Sequence, residues 1–469
     1  MASTITPRIV NLTAKVIAAP TPSTLQQSGA AISVGGTTLT AGTYQFLGSA
    51  ADLTSILSAT GNYTELQHMV DTHFAQGSSV GIYVLELGVQ VTVDDGIAAL
   101  ATWIIANPNI FYSYLTPADW DTMPAPAAPS LSSTSGGTLA AATYYVKIAY
   151  VNAAGAVGQT SAEASLSVLA DNLLNVASPA ALSGATGYNV YVSTTTGTET
   201  LQNVSPIAIG TAWTEPTSGL VTGAVPDTTL ATLANDYASP TAKTYFFITT
   251  TSINIPAYFA TTSKAAYCFV PSPTAVASEF GAAAHMYNWL VNNPGPANVL
   301  APMAYRYLYG VTAWPTQGYS SQINTILTNY GNINYPGSEG GISNVAIFKG
   351  TTNDGTQASW WYGVDWVQIQ MNQAIAADVL NGSNRQPPLL YRQAGINELQ
   401  KVAQLWGDDA VSYGCALSAQ VTAVDFATYT AENPNDYKAG IYSGLLCNLV
   451  GQNGFLTINF TLNAYQFVA

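Results

Sequence analysis

Three histidines, three cysteines and 25 Asp or Glu residues are what this 469-residue chain offers to chemistry. His68 and His73 stand five positions apart in "ELQHMVDTHFAQ". On a helix that spacing sends them to different faces, whereas helical metal pairs sit three or four apart. His285 stands alone, and Cys268, Cys415 and Cys447 show neither close pairing nor metal-ligand spacing. They read as thiols of a reducing compartment. Among the acids, Asp94 and Asp95 open a helix, where they favour its dipole, and Asp408 and Asp409 read as a turn. Asp365 and Glu398 are the carboxylates a glycoside-cleaving site would use, with Trp360, Trp361, Trp366 and Trp406 to stack on sugar rings. Nothing sets that pair apart, and the tryptophans read as core or interface. No nucleophile elbow, phosphate-cradling loop or dinucleotide fingerprint occurs. The expectation is a chain with no catalytic residue, no metal ligand and no cofactor.

The elements around these residues carry few charges. Only 8% of residues are Asp, Glu, Lys or Arg, against about 25% in an average chain. The net charge is -14 with 11 Lys plus Arg. No basic cluster exists, which excludes nucleic acid and anionic membrane surfaces as partners. The most apolar stretch, "GIAALATWIIANP", is too short to span a bilayer. The first twenty residues lack the apolar core of a signal peptide, so synthesis in a cytoplasm is expected.

Strand and helix patterns alternate early. Ser49 caps a short helix through Asp52 and Leu53; Leu66, Met69, Val70 and Phe74 recur at helical spacing until Gly77. "VGIYVLEL" reads as a buried strand, "DDGIAALATWIIANP" as a helix and "IFYSYLTP" as a strand, a rhythm that predicts a parallel sheet with packed helices. From about 125 to 226 helix signals vanish. There "ATYYVKIAYVNAAG" alternates Tyr144, Val146, Ile148 and Tyr150 against Tyr145, Lys147 and Ala149, and "GYNVYVS" and "SPIAIGTAWTEP" add strands between Gly and Pro turns. The rhythm resumes with "DTTLATLANDYAS" and "KTYFFITTT", so the sandwich reads as an insertion. "AAYCFVPSP" and "AVASEFGAAAHMYNWLVNNP" continue with another strand and helix.

Two long helices follow late. The first has Val367, Met371, Ile375 and Val379 on one stripe with Gly382 past its end; the second buries Ile396, Leu399, Val402 and Leu405. Both ends of the chain read as strands. Val10, Leu12, Ala14 and Val16 form one face near the start, before an extended connector "APTPSTLQQSGAAISVGG". Leu456, Ile458, Phe460 and Leu462 form a cleaner apolar face at the end. Neither has an adjacent hairpin partner, and an unpaired apolar edge is an aggregation hazard. Edge strands on a connector suit head-to-tail contacts that generate helical filaments.

The pattern "PAAPSL…TYYVKIAYVNAAG…GYNVYVS…TAWTEP" resembles fibronectin type III-like modules. The order of elements in "SAADLTSILSATGNYTELQHMVDTHFAQGSSVGIYVLELG", with the late helix pair "GVDWVQIQMNQAIAADVL" and "QAGINELQKVAQLWGDDAVSYGCAL", resembles contractile phage tail sheath proteins over all but the insertion. "YVLELG" lacks the basic residue often found nearby in that family, which bears on charge pairing between subunits. The resemblance implies a non-enzymatic virion subunit, assembled in the host cytoplasm into a helical homo-oligomer around a tail tube protein, with baseplate and tail terminator proteins as further partners. The implied fold is α/β: an N-terminal arm (1–30), a sheath-type core in two segments (31–124 and 227–450), the inserted fibronectin III/Ig-like sandwich (125–226) and a C-terminal strand (451–469). Terminal strands exchanged between subunits would place Val10, Leu12, Val16, Leu456, Ile458, Phe460 and Leu462 at the intersubunit interface, with Cys447 the thiol nearest a neighbour. A phage adhesin whose sandwich contacts sugars is the alternative.

Overall fold

A computed structural model describes residues 24–456 apart from 121, 122, 124, 154, 183, 227, 228, 251, 252 and 254–262. The chain divides into two compact units: one of residues 1–293, 308–345 and 351–356, the other of 294–307, 346–350 and 357–469.

The first unit is built on a six-stranded sheet. In chain order it contributes β1 (Gly29–Ser33), β2 (Tyr44–Leu47), α1 (Ala50–Leu53), α2 (Tyr63–Ala75), β3 (Ile82–Glu86), α3 (Val93–Ala106) and β4 (Ser113–Leu115). Asp52 secures α1 by accepting from Ser49 N–H at 2.9 Å, and Thr92 caps α3 by accepting from Asp95 N–H at 3.1 Å. β1 lies parallel between β3 and β4, and β2 closes one edge antiparallel to β3. The connector expected before residue 36 thus ends earlier than its composition suggests: Gly29–Ser33 is a central strand, all five residues buried. A β-carbon on Gly29 would stand 2.2 Å from Met286 Cε, so glycine here lets the strand lie close against the side chains of the helix that covers it.

Between β4 and the next sheet strand come β5 (Leu131–Ser135), β6 (Ala142–Asn152), β7 (Ala164–Val168), β8 (Asn172–Val176), β9 (Ala185–Ser193), β10 (Thr200–Leu201), β11 (Ile207–Ala208) and β12 (Trp213–Thr214). They form a five-stranded and a three-stranded antiparallel sheet. Tyr144, Val146 and Ile148 of β6 alternate inward as expected. They share one core with Tyr188, Val190 and Val192 of the same sheet and Leu174, Val176 and Trp213 of the other. The parallel sheet then resumes through α4 (Leu230–Asp236), β13 (Tyr245–Thr249) and β14 (Ala266–Phe269), followed by α5 (Gly281–Leu290). β13 pairs directly with β4, Phe246 opposite Tyr114, so the two small sheets are looped out between adjacent strands. β15 (Tyr307–Leu308), α6 (Ser320–Thr328), β16 (Ile333–Pro336) and β17 (Val345–Phe348) complete the middle of the chain.

With so few charges, side-chain amides hold much of the backbone. Gln76 and Gln202 each grip one residue by both its N–H and its C=O: Tyr309 at 2.9 and 2.6 Å, Val221 at 2.8 and 3.0 Å. Asn332 does likewise across two segments, accepting from Thr351 N–H and donating to Thr351 O and Cys268 O. One carboxylate is held in the same manner. Glu86, 1% exposed at the end of β3, accepts from Ser33 Oγ (2.6 Å), Gly35 N (2.7 Å), Thr37 N (3.1 Å), Thr37 Oγ1 (2.7 Å) and Gly88 N (2.6 Å). The glycine-containing turn after β1 wraps this anion with oriented N–H groups, a nest filled by the protein's own side chain.

The second unit contains α7 (Ala358–Ser383), α8 (Gln393–Ser412), β18 (Ala416–Ala423), α9 (Phe426–Glu432), α10 (Pro434–Ala439) and β19 (Leu445–Gly451). Several expectations are corrected here. Gly382 lies inside α7, Asp408 and Asp409 lie inside α8, and the loop around "ENPNDYKAG" is largely the helices α9 and α10. Of the stripe expected on α8, Ile396 is buried but Leu405 is 59% exposed. The face α8 buries is Gly395, Ile396, Ala403, Gly407 and Ala410, mostly small residues, because strand β18 lies close against it. A β-carbon on Gly407 would come within 3.1 Å of Ala419 Cβ.

Candidate functional site

The residues that could have done chemistry are placed apart. His73 is fully buried beside Val80 O (3.2 Å), while His68 is half-buried. His285 is fully buried between Tyr267 Oη (2.8 Å) and Asn334 Oδ1 (2.9 Å). Burial lowers both His73 and His285 to about 4, so each is a neutral, packed ring at physiological pH. Asp365 is buried in α7, whereas Glu398 on α8 pairs with Arg385 and faces Asp378. Asp378 lies far down α7 from Asp365, about 20 Å of helical rise, well beyond the roughly 5–10 Å between glycosidase carboxylates. Trp366 is buried against Trp406 (5.8 Å between centroids), a packing role. Among the described residues no group of three His, Cys, Asp or Glu could hold a metal ion, and no helix is long and apolar enough to cross a membrane. None of the three cysteines is in a disulfide. Burial pushes the Cys415 thiol up to about 12 and raises that of Cys447.

What the second unit offers instead is a strand edge. β18 and β19 form an antiparallel pair with Ala419 opposite Leu449 and Val421 opposite Cys447. Their inner face carries Val421, Ala423, Leu445, Cys447 and Leu449 and lies over the helices; their outer face leaves Leu446 57% and Val450 53% exposed. Two glycines allow the close fit. A β-carbon on Gly363 would stand 2.6 Å from Cys415 O, and one on Gly451 would stand 2.1 Å from Trp360 Nε1.

The two outer edges of this pair differ. Along β18, Val421 N–H donates to Gln404 Oε1 (2.8 Å), Gln404 Nε2 donates to Ala419 O (3.0 Å), and Gln400 Nε2 donates to Val421 O (3.0 Å). Gln404 Nε2 also donates to Asp408 Oδ1 at 2.8 Å, which fixes the amide. Because Ala419 and Val421 direct their main-chain groups away from β19, their opposite residues Leu449 and Cys447, and Leu445 in the same phase, direct theirs away from β18. Among the described residues no strand pairs with β19 on that side.

Past Gly451 the chain is tied down again. Gln357 at the start of α7 holds Gly454 at both ends, accepting from its N–H (2.8 Å) and donating to its C=O (2.9 Å), and Tyr305 Oη donates to Leu456 O. Of the interface residues expected from sequence, Leu456 is half-buried at the end of the described chain. Val10, Leu12, Val16, Ile458, Phe460 and Leu462 lie outside the described residues. Sequence reading missed β18, β19 and the glutamines that close one edge. The available signal was weak: "ALSAQVTA" carries mostly small and polar residues, and "LLCNLVG" is a short apolar run without alternation.

Neither a protein-family model nor a curated protein matches the sequence. Among solved structures, a chain of the cryo-EM structure of the anti-feeding prophage baseplate overlays with a TM-score of 0.53 at 11% identity, covering 99% of this chain and 100% of that one. The two share a fold. A chain of the contracted helical sheath of the anti-feeding prophage also aligns, with a TM-score of 0.47, 11% identity and 99% of each chain covered. The sheath tail protein from Listeria innocua gives 0.35 at 9% identity over 90% of this chain and 95% of its own. The fold shared with the baseplate chain is mixed α/β.

Proposed function

We propose that this chain is a structural, non-enzymatic subunit of a contractile tail sheath in a phage-like particle, polymerising as a helical sleeve around a tail tube. The observation that carries the reading is the edge of β19, which no strand among the described residues covers, in a chain whose two terminal sequences read as strands. An edge strand binds an incoming strand through main-chain hydrogen bonds with little demand on side-chain charge. That suits a chain with 8% charged residues. The full-length likeness to a baseplate chain of the anti-feeding prophage supports the same reading.

In this account a terminal strand of one subunit, with Ile458, Phe460 and Leu462 or with Val10, Leu12 and Val16 on its apolar face, adds to the small sheet of a neighbour. The heterologous contact does not close on itself and so propagates as a helix. Contraction is a repacking of rigid bodies, with the donated strands as tethers that survive the rearrangement. The tube, the baseplate and a terminator at the far end are the partners such a sleeve meets.

Residues 125–226 form a fibronectin type III-like module inserted between two adjacent strands of the core, carried on the outer surface of the sleeve. Replacing that segment with a short Gly/Ser linker should leave a soluble core that still forms cylinders, of smaller outer diameter. Loss of assembly in a folded core would contradict the reading.

A further inference from the structure

We propose that Glu65 and Asp119 form a proton-dependent latch on the path into the looped-out sheets, closed while one of the two carboxyls is protonated and loosened when both are ionised. That path leaves β4 at Leu115. Thr116 is tied to the core by its N–H and its hydroxyl, both donating to Phe247 O at 3.2 Å. Trp120 is buried so closely against α3 that a β-carbon on Gly96 would stand 2.7 Å from its ring. Farther on, Met123 O accepts from Gln159 N–H at 3.3 Å. These anchors are neutral. Between Thr116 and Trp120 stands a charged one: Glu65 Oε1, reaching from the first turn of α2, accepts from Ala118 N–H at 2.8 Å. Asn62 is its neutral counterpart at the start of the same helix, accepting from Val34 N–H (2.9 Å) and donating to Ile32 O (3.1 Å). The start of α2 thus grips the chain where it leaves β1 and where it leaves β4.

The surroundings of Glu65 supply no compensating charge. No Lys or Arg occurs in the sequence between Lys15 and Lys147. Of the elements packed on α2, β1 is Gly, Ala, Ala, Ile and Ser, α5 carries only the neutral His285, and α1 carries Asp52, whose carboxylate accepts from Gly48 and Ser49 N–H. On α2 itself stand the half-buried His68, the exposed Asp71 and the buried, neutral His73. The charge that acts on Glu65 is that of Asp119, in the turn Ala118–Trp120 that Glu65 holds. Burial pushes the Glu65 carboxyl up to about 7; the Ala118 N–H works against the rise and Asp119 adds to it. The closed form therefore binds this proton more tightly than the open one. Its contribution to closure is complete below the ordinary glutamate range and is lost as pH rises through about 7. Above that, two like charges meet at one turn, and the strain is relieved when Ala118 moves away from Glu65. Thr116 and Trp120 are then left to hold this side of the path.

Amide hydrogen exchange on the dispersed full chain, expressed as protection relative to the intrinsic rate at each pH, reads the latch directly. Protection of the Ala118 amide should fall about 10-fold between roughly pH 6 and pH 8, the change expected for one proton held to about 7 when closed and released in the ordinary glutamate range when open. The Val34 amide, bonded to Asn62 at the start of the same helix, should keep its protection. Glu65→Gln retains an oxygen for the Ala118 N–H but cannot ionise, so its Ala118 protection should not change with pH. Asp119→Asn, at an exposed position, should shrink the fall and lower the midpoint of the Glu65 carboxyl titration followed by carbon NMR. A fall in Glu65→Gln equal to that of the unmodified protein would overturn the proposal. So would a parallel loss at Val34, which would report a general weakening of α2 rather than a latch. Should Glu65→Gln fail to fold, the carboxyl titration of the unmodified chain decides: a midpoint near the ordinary value of about 4.3 refutes the latch.

Discussion

Glu86→Ala should destabilise the subunit by more than about 3 kcal/mol, because each buried donor left without an acceptor costs about 1–3 kcal/mol. The carboxylate is 1% exposed and accepts five hydrogen bonds, three from main-chain N–H groups of Gly35, Thr37 and Gly88 and two from the hydroxyls of Ser33 and Thr37. Alanine leaves four buried donors and the half-buried Gly88 N–H without this acceptor and opens a void at the ends of β1 and β3. Glu86→Gln keeps the volume but turns an N–H₂ toward donors, so it should cost less than alanine but still more than about 1 kcal/mol. Against a total stability of roughly 5–15 kcal/mol, the alanine variant should lose much of its folded population at growth temperature. Urea melts of the dispersed subunit check this, read as a shift in midpoint at constant slope. A midpoint for Glu86→Ala within error of the unmodified protein would show that the turn does not depend on its internal anion.

Ending the chain at Leu456 should abolish assembly while leaving the fold intact. The truncation keeps Gly454 and Leu456, so the main-chain bonds that tie the described end of the chain to Gln357 and Tyr305 remain. It removes Ile458, Phe460 and Leu462, each contributing about 1.5–3 kcal/mol when fully buried. Together they exceed the roughly 4 kcal/mol that separates a thousandfold in affinity, enough to decide between polymer and monomer at micromolar concentration. The truncated chain should keep its far-ultraviolet spectrum and urea midpoint and sediment as a monomer where the full chain forms large particles. Unfolding on truncation would place the last residues in their own subunit's core, and undiminished assembly would move the interface elsewhere.

What could be read from sequence followed from periodicity. The helices from Ser49 and the alternation of Tyr144, Val146 and Ile148 each bury one face, and "YVLEL" is a buried strand as its apolar run predicts, so pattern and structure agree. β1 escaped notice because both of its faces are buried and its residues are Gly, Ala, Ala, Ile and Ser, which neither alternate nor carry the bulk of a typical strand. Leu405 misled for the opposite reason. It continues an apolar stripe, but α8 turns its glycine and alanine face inward so that β18 can approach, which leaves Leu399 and Val402 half-buried and Leu405 facing solvent. The edge of β18 was illegible in a stronger sense. Its ladder partners are the side chains of Gln400 and Gln404, and a glutamine on a helix surface ordinarily signals nothing but solvent.

Negative-stain electron microscopy of the purified full-length chain tests the central claim most directly. A sheath subunit should form long hollow cylinders with helical striation and an open axial channel, and these should be absent from the preparation ending at Leu456. Uniform monomers, or closed rings and trimers that do not lengthen with concentration, would contradict it.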